Sequence, residues 1–167
     1  MDFVTELLQA DHKRSAFSCG EESLDTFIQK QASQHIKSRA AGIFVVVDDS
    51  KGVKGFYTLS SDNIPYDEVP EDVRKKMPRY QSLPTTLLGR LAIDLKHQGE
   101  GLGELLLLDA LYRAYAVSEQ IGSIAVIVDA LHEKAAAFYG QYGFIKLPDR
   151  GRLFLPMKSV GQLFETK

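Results

Sequence analysis

The sequence predicts an α/β fold, with helices packed on a mixed sheet in one domain spanning residues 1–167. Three observations predict it. Ile43–Val47 and Val53–Ser60 are β-branched and aromatic runs flanking the turn segment Asp48-Asp49-Ser50-Lys51-Gly52. Ile124–Val128 is almost wholly apolar, which suits a strand covered on both faces. Alternating glycines separate a third strand, Thr85–Asp94, from a helix running from Leu102 to about Glu119.

The remaining elements follow in order. Asp25 opens a helix that runs to about Arg39, with Leu24, Phe27, Ile28 and Ile36 along one side. Acidic Glu21, Glu22 and Asp25 at its start and Lys37 and Arg39 at its end match the helix dipole, and Gly42 is expected to stop it. Ser61–Pro84 is polar and carries four prolines, so it reads as a long loop with a short helix. Glu133–Gln141 reads as a helix that stops before Gly143, with short closing strands at Phe144–Leu147 and Leu153–Met157.

Bulk properties exclude several function classes. The formal net charge is −2, so a nucleic-acid partner must meet a local basic patch. Cys19 is the single cysteine, which rules out an intramolecular disulfide and suits a reducing compartment. His12, His35, His97 and His132 share no metal-ligand spacing, so no metal is expected. The N-terminus has acidic Asp2 and Glu6 where a secretory signal needs a basic start. Glu104, Asp109 and Arg113 interrupt Leu102–Val117, making it too polar to span a bilayer. A cytoplasmic protein with no membrane partner is expected.

The chemistry centres on Gln98-Gly99-Glu100-Gly101-Leu102-Gly103. Glycines permit positive φ and close approach to a ligand. The free amides at the start of the following helix favour an anion. A P-loop needs Gly-Lys-Ser/Thr, and none is present. A dinucleotide fingerprint needs glycine at position 104, where Glu104 stands. The other reading of the loop is a tight turn without a ligand.

Gln98-x-x-Gly101-x-Gly103 resembles the pyrophosphate-binding motif of the GNAT superfamily of N-acetyltransferases, and Ala135-Ala136-Ala137-Phe138-Tyr139-Gly140-Gln141-Tyr142-Gly143-Phe144 resembles that family's closing helix and turn. The resemblance implies a mostly antiparallel central sheet flanked by helices. It implies that the amides of residues 98–103 hold the diphosphate of acetyl-CoA, that the strand residues Leu91, Ala92 and Ile93 pair with its pantetheine arm, and that Phe138 contacts it. The family tyrosine that serves as general acid maps to Tyr139. Many members have Asn where His132 stands, which leaves the helix cap there and one cofactor contact open.

Further segments resemble acetyltransferase toxins of toxin–antitoxin pairs. These are Phe17-Ser18-Cys19-Gly20 with Leu24-Asp25-x-Phe27-Ile28, then Gly55–Ser60, Leu88–Asp94 and Arg152–Met157. This branch acetylates the amino group of aminoacyl-tRNA and stops translation. A ribbon-helix-helix antitoxin usually neutralises its members, and dimerisation is the family expectation.

Read as residues alone, Tyr139 is either that acid or a packed aromatic, and Tyr142 reads as packing. Glu100 and Glu104 would repel a phosphate and are expected to face solvent, while Asp94 and Asp129 read as turn formers. No general base stands out. An α-amine, with pKa near ~7.7, is about one-sixth neutral at pH 7, whereas a lysine amine near ~10.4 is neutral only about once in 2,500 molecules. An α-amine substrate therefore barely needs a base. Candidate RNA contacts are Lys30, Lys37 and Arg39 on the first helix, Arg74, Lys75, Lys76 and Arg79 in the long segment, and Arg90, which is otherwise a structural ion pair. A small amine, peptide N-terminus or protein lysine as acceptor, and a non-catalytic CoA-binding module, are the alternatives.

Overall fold

The computed structural model describes residues 2–148 and 151–165. In chain order its elements begin with β1 (Glu6–Leu7), α1 (Glu22–Thr26), a π-helical turn (Phe27–Gln31) and α2 (Ala32–Ser38). There follow β2 (Gly42–Val47), β3 (Val53–Pro65), a 3-10 turn (Tyr66–Glu68), α3 (Glu71–Arg74) and β4 (Ser82–Ile93). A second 3-10 turn (Leu95–His97) leads to α4 (Leu102–Ser118), β5 (Ala125–Asp129), α5 (Glu133–Gly140), β6 (Ile145–Lys146), β7 (Arg152–Pro156) and α6 (Met157–Leu163). The seven strands form one sheet in the order β1-β2-β3-β4-β5-β7-β6. The β4–β5 pair is parallel, whereas β1–β2, β2–β3, β5–β7 and β6–β7 are antiparallel. This is the mixed, mostly antiparallel sheet with flanking helices that the sequence implied.

The chain divides into two compact units, Met1–Ser60 with Gly89–Ala110, and Ser61–Leu88 with Leu111–Lys167. The first has a core of Phe17, Phe27, Ile28, Ile43, Val45 and Phe56. Its hairpin forms where expected. Asp48 Oδ1 accepts from the amides of Ser50 and Gly52, and Lys51 takes φ +67° at the turn. Gly55 on β3 is required by a close approach: a Cβ there would lie 2.9 Å from both Ile93 and Leu106. No larger side chain lets the end of β4 and the first turns of α4 seat so closely on β3.

The first helix differs from expectation at its start and ends where expected. It starts three residues earlier, at Glu22, because the Asp25 carboxylate reaches back to the Cys19 amide (2.8 Å) from within the first turn. It ends at Ser38, with Arg39 in the left-handed region at φ +59°. Gly42 does not stop the helix but starts β2.

A buried carboxylate ties the N-terminal segment to α4. Asp109 is 1% exposed. Its Oδ2 accepts from the hydroxyls of Thr5 (2.5 Å) and Tyr57 (2.6 Å), and its Oδ1 accepts from the Val4 amide (2.7 Å).

The second unit has a core of Ile64, Val69, Leu83, Ala125, Ile127 and Phe154. Four residues of β5, Ala125–Val128, are buried, as their unbroken apolar run required. The Ser61–Pro84 loop is a correction. β3 continues through it to Pro65 and β4 begins within it at Ser82, leaving only residues 66–81 between strands. The short helix expected there is α3. β1 and α6 were not foreseen. α6 packs through Gly161, where a Cβ would lie 2.7 Å from the Tyr115 ring. No helix among the described residues is long and apolar enough to cross a membrane.

Replacing Asp109 with Ala removes the acceptor of three donors and should lower unfolding free energy by about 3 kcal/mol. Urea denaturation measures the loss, and amide hydrogen exchange should accelerate first at residues 4–8.

Candidate active site

In the first unit the glycine loop is set by what precedes it. β4 ends at Ile93, and Asp94 turns the chain. Its Oδ1 accepts from the Lys96 amide (2.9 Å) and its Oδ2 from the Ser18 amide (3.1 Å), while its own amide donates to Lys54 O (2.8 Å). Asp94 is therefore the turn former expected. Gln98 Nε2 donates to the carbonyls of Ile93 (2.9 Å) and Cys19 (3.0 Å), so its side chain braces the loop from behind. The Cys19 thiol points at Glu21 O (3.6 Å), and burial pushes its pKa up to about 11.

Gly99 and Gly101 adopt φ +82° and +79°, and a Cβ on either would meet nothing within 4 Å. Glycine is needed there for backbone conformation, and the space above the loop is open. Gly103 lies inside α4 and needs no positive φ. The first intrahelical acceptor is Gly101 O, bonded by the Leu105 amide at 3.3 Å. The amides of Leu102, Gly103 and Glu104 precede that bond and carry the positive end of a seventeen-residue helix. Glu100 and Glu104 are exposed, as expected. The parallel register of β4 with β5 covers Thr86–Leu88. Leu91, Ala92 and Ile93 follow, with Ala92 buried and its neighbours half-buried.

Arg90 lies over the Phe27 ring, its Cζ 3.7 Å from the centroid. Among the described residues it pairs with no carboxylate, so the charge is held by an aromatic face rather than by an ion pair. Burial lowers its pKa from the ordinary arginine value. Lys30, Lys37 and Arg39 are exposed on the same unit.

In the second unit, α5 carries Phe138 and Tyr139. His132 caps this helix: its Nδ1 accepts from the Ala135 amide at 3.2 Å. The imidazole thus supplies the acceptor that an asparagine would. Tyr139 is 7% exposed, edge-on to Phe138 (5.3 Å) and Phe144 (5.6 Å). Among the described residues nothing accepts from its hydroxyl, and burial pushes its pKa up to about 12. Tyr142 packs edge-on to Phe138 at 5.6 Å and is half-buried. Arg74 is half-buried, while Lys75 and Lys76 are exposed.

Sequence reasoning missed one charged cluster in this unit. Arg152 Nε donates to Asp129 (3.0 Å) and its NH2 to Asp62 (3.1 Å). Burial pulls the Arg152 pKa down, but the two carboxylates outweigh it and hold the value above the ordinary arginine range. Asp129 is thus an ion-pair partner as well as the end of β5. Asp62 fell inside the stretch read as loop, which hid the signal. No group of three or more His, Cys, Asp or Glu among the described residues could hold a metal.

Comparison with known proteins shows the family. Residues 39–146 match the acetyltransferase (GNAT) domain family. The chain is 40% identical over 150 residues to a tRNA-acetylating toxin of Mycobacterium tuberculosis, covering 89% of each. The structure of AtaT complexed with acetyl-methionyl-tRNAfMet is similar at a TM-score of 0.89 and 33% identity, covering 98% of this chain and 100% of that one. A tyrosine-to-phenylalanine mutant of AtaT, bound to acetyl-CoA and the C-terminus of the antitoxin AtaR, is similar at a TM-score of 0.83 and 30% identity, covering 99% and 100%. This chain belongs to the GNAT acetyltransferase family.

Proposed function

We propose that the protein transfers the acetyl group of acetyl-CoA to the α-amino group of an aminoacyl-tRNA. In this reading it is a cytoplasmic toxin that blocks translation, acting as a homodimer and neutralised by a ribbon-helix-helix antitoxin. The observation that carries the cofactor half is the open glycine loop. Two glycines hold positive φ with nothing above them, at the amide-rich start of α4. The acceptor rests on kinship with a tRNA-acetylating toxin and with a toxin solved on acetyl-methionyl-tRNA.

The donor set fits an anionic cofactor. The amides of Leu102, Gly103 and Glu104 lie at the positive end of α4, which favours an anion. Leu91, Ala92 and Ile93 would offer main-chain groups to the pantetheine arm, and Phe138 an apolar face. Acetyl-CoA, when bound, supplies the activated acetyl group. Tyr139 Oη stays protonated and donates a hydrogen bond to the departing sulfur. With a phenol at about 12 and a thiol near ~8.5, complete proton transfer is uphill by about 5 kcal/mol. Tyr139 therefore stabilises developing negative charge in the transition state rather than delivering a free proton. The α-amine is sufficiently neutral at pH 7 to attack without a dedicated base. Arg90, Lys30, Lys37, Arg39, Arg74, Lys75 and Lys76 are the proposed phosphate contacts, which position RNA without reading its sequence.

Three outcomes are expected. Tyr139→Phe should lower kcat for acetylation of aminoacyl-tRNA by about 100-fold while retaining acetyl-CoA binding, measured with radiolabelled acetyl-CoA. Full activity in that variant removes Tyr139 from the mechanism. Gly101→Val places a β-branched residue at φ +79° and should weaken acetyl-CoA binding at least about tenfold by titration calorimetry. Initial rates of kcat/KM should rise through about pH 7.7 as the substrate amine loses its proton, then stay level to about pH 10. The plateau holds because the raised tyrosine pKa keeps Tyr139 neutral there. A falling limb centred near pH 10 contradicts the raised pKa of Tyr139.

A further inference from the structure

The segment between β3 and β4 builds a second feature that the acetyl-transfer chemistry does not use. Tyr66 N–H donates to Gln81 O (3.1 Å), clamping the two ends of the segment together. Arg74 and Arg79 both lie at the Tyr66 ring, with their Cζ atoms 5.9 and 6.0 Å from its centroid. Among the described residues neither guanidinium pairs with a carboxylate, and Arg74 makes one hydrogen bond, to Asp67 O at 3.3 Å. Tyr80, beside Arg79, is 63% exposed. Tyr66, Asp67, Arg74, Arg79, Tyr80 and Gln81 line a cleft of about 520 Å³.

These parts suit a particular ligand chemistry. An aromatic ring that holds two guanidinium groups fixes their positions while leaving most of their N–H donors for an anion. A largely exposed tyrosine offers a flat face for stacking. Asp67, an acidic residue of the same lining, disfavours a ligand that is anionic throughout and suits one that also carries a neutral amino group. The cleft therefore calls for separate anionic and planar neutral parts. A nucleotide has both, whereas an acidic peptide offers carboxylates without a large π face.

We propose that this cleft is a nucleotide subsite for the RNA substrate: one base stacks on Tyr80, and Arg74 and Arg79 bind the flanking phosphates. The assignment rests on the RNA-substrate reading above and adds to it the residues that hold an unpaired nucleotide.

The test measures binding apart from chemistry. Fluorescently labelled, uncharged tRNA is titrated against the full-length protein and its Tyr80→Ser, Tyr80→Phe and Arg79→Gln variants at several salt concentrations. Acetyl-CoA calorimetry reports that each variant is folded. Tyr80→Ser should bind tRNA about tenfold more weakly, and Tyr80→Phe should restore binding, because stacking needs the ring and not the hydroxyl. Arg79→Gln should reduce the slope of log affinity against log salt by about one. With aminoacyl-tRNA as substrate, the Tyr80→Ser effect should fall on KM rather than kcat.

Unchanged tRNA titrations in folded Tyr80→Ser and Arg79→Gln overturn the subsite. So does loss of binding to a poly-glutamate peptide in those variants with tRNA binding intact, which assigns the cleft to a protein partner. A parent protein that binds tRNA yet never acetylates its aminoacyl form sinks the acetyl-transfer reading alone and leaves the cleft standing.

Discussion

A helix that begins directly after a strand and a tight turn presents its first amides to whatever lies above them, because those donors precede the first intrahelical bond. In this chain that constraint falls on Leu102, Gly103 and Glu104, and the architecture of the first unit serves it. Gly55 gives up its side chain so that Ile93 and Leu106 can settle close to β3. Asp94 pins the turn to Ser18, and Gln98 pins it to Ile93 and Cys19. The loop therefore approaches its conformation with little left to order. An anion arriving there meets dipoles already aligned, which is what makes such sites effective.

The two groups that the proposed reaction uses have opposite electrostatic settings. The start of α4 gathers partial positive charge from main-chain amides, while the formal charges beside it, Glu100 and Glu104, are exposed to solvent. Tyr139 sits among aromatic rings, where burial disfavours its ionised form. A phenol in such a place is a poor proton source and a dependable hydrogen-bond donor. The proposed chemistry uses the donor, because an attacking α-amine would bring its own basicity. The lack of an evident base and the raised tyrosine pKa are consistent with one another.

Legibility followed the range of the interaction. The glycines at 99 and 101 could be read because backbone conformation is a local property, and both take the positive φ that alternating glycines suggest. The Phe138-Tyr139 pair could be read as a motif, but the burial of Tyr139 could not, since Phe144 and the rest of its surroundings are assembled by folding. The His132 cap could be stated only once the imidazole was seen to accept from Ala135. Ser61–Pro84 misled because its prolines and polar residues look like loop, although Ile64 and Leu83 are buried and the outer parts are strand. Asp109 gave no signal at all. Its partners Val4, Thr5 and Tyr57 lie more than fifty residues away in the chain, and an aspartate on a helix normally reads as solvent-facing.

Burial of Cys19, the residue whose carbonyl braces the loop, also sets the reactivity of its thiol. A group titrating near 11 is thiolate in only about one molecule in ten thousand at neutral pH, and it is the thiolate that reacts with alkylating agents, peroxide and disulfides. The lone sulfhydryl is therefore chemically quiet. A cysteine introduced on the surface for a spectroscopic label would outcompete it by orders of magnitude, so the natural sequence already serves as a nearly cysteine-silent background.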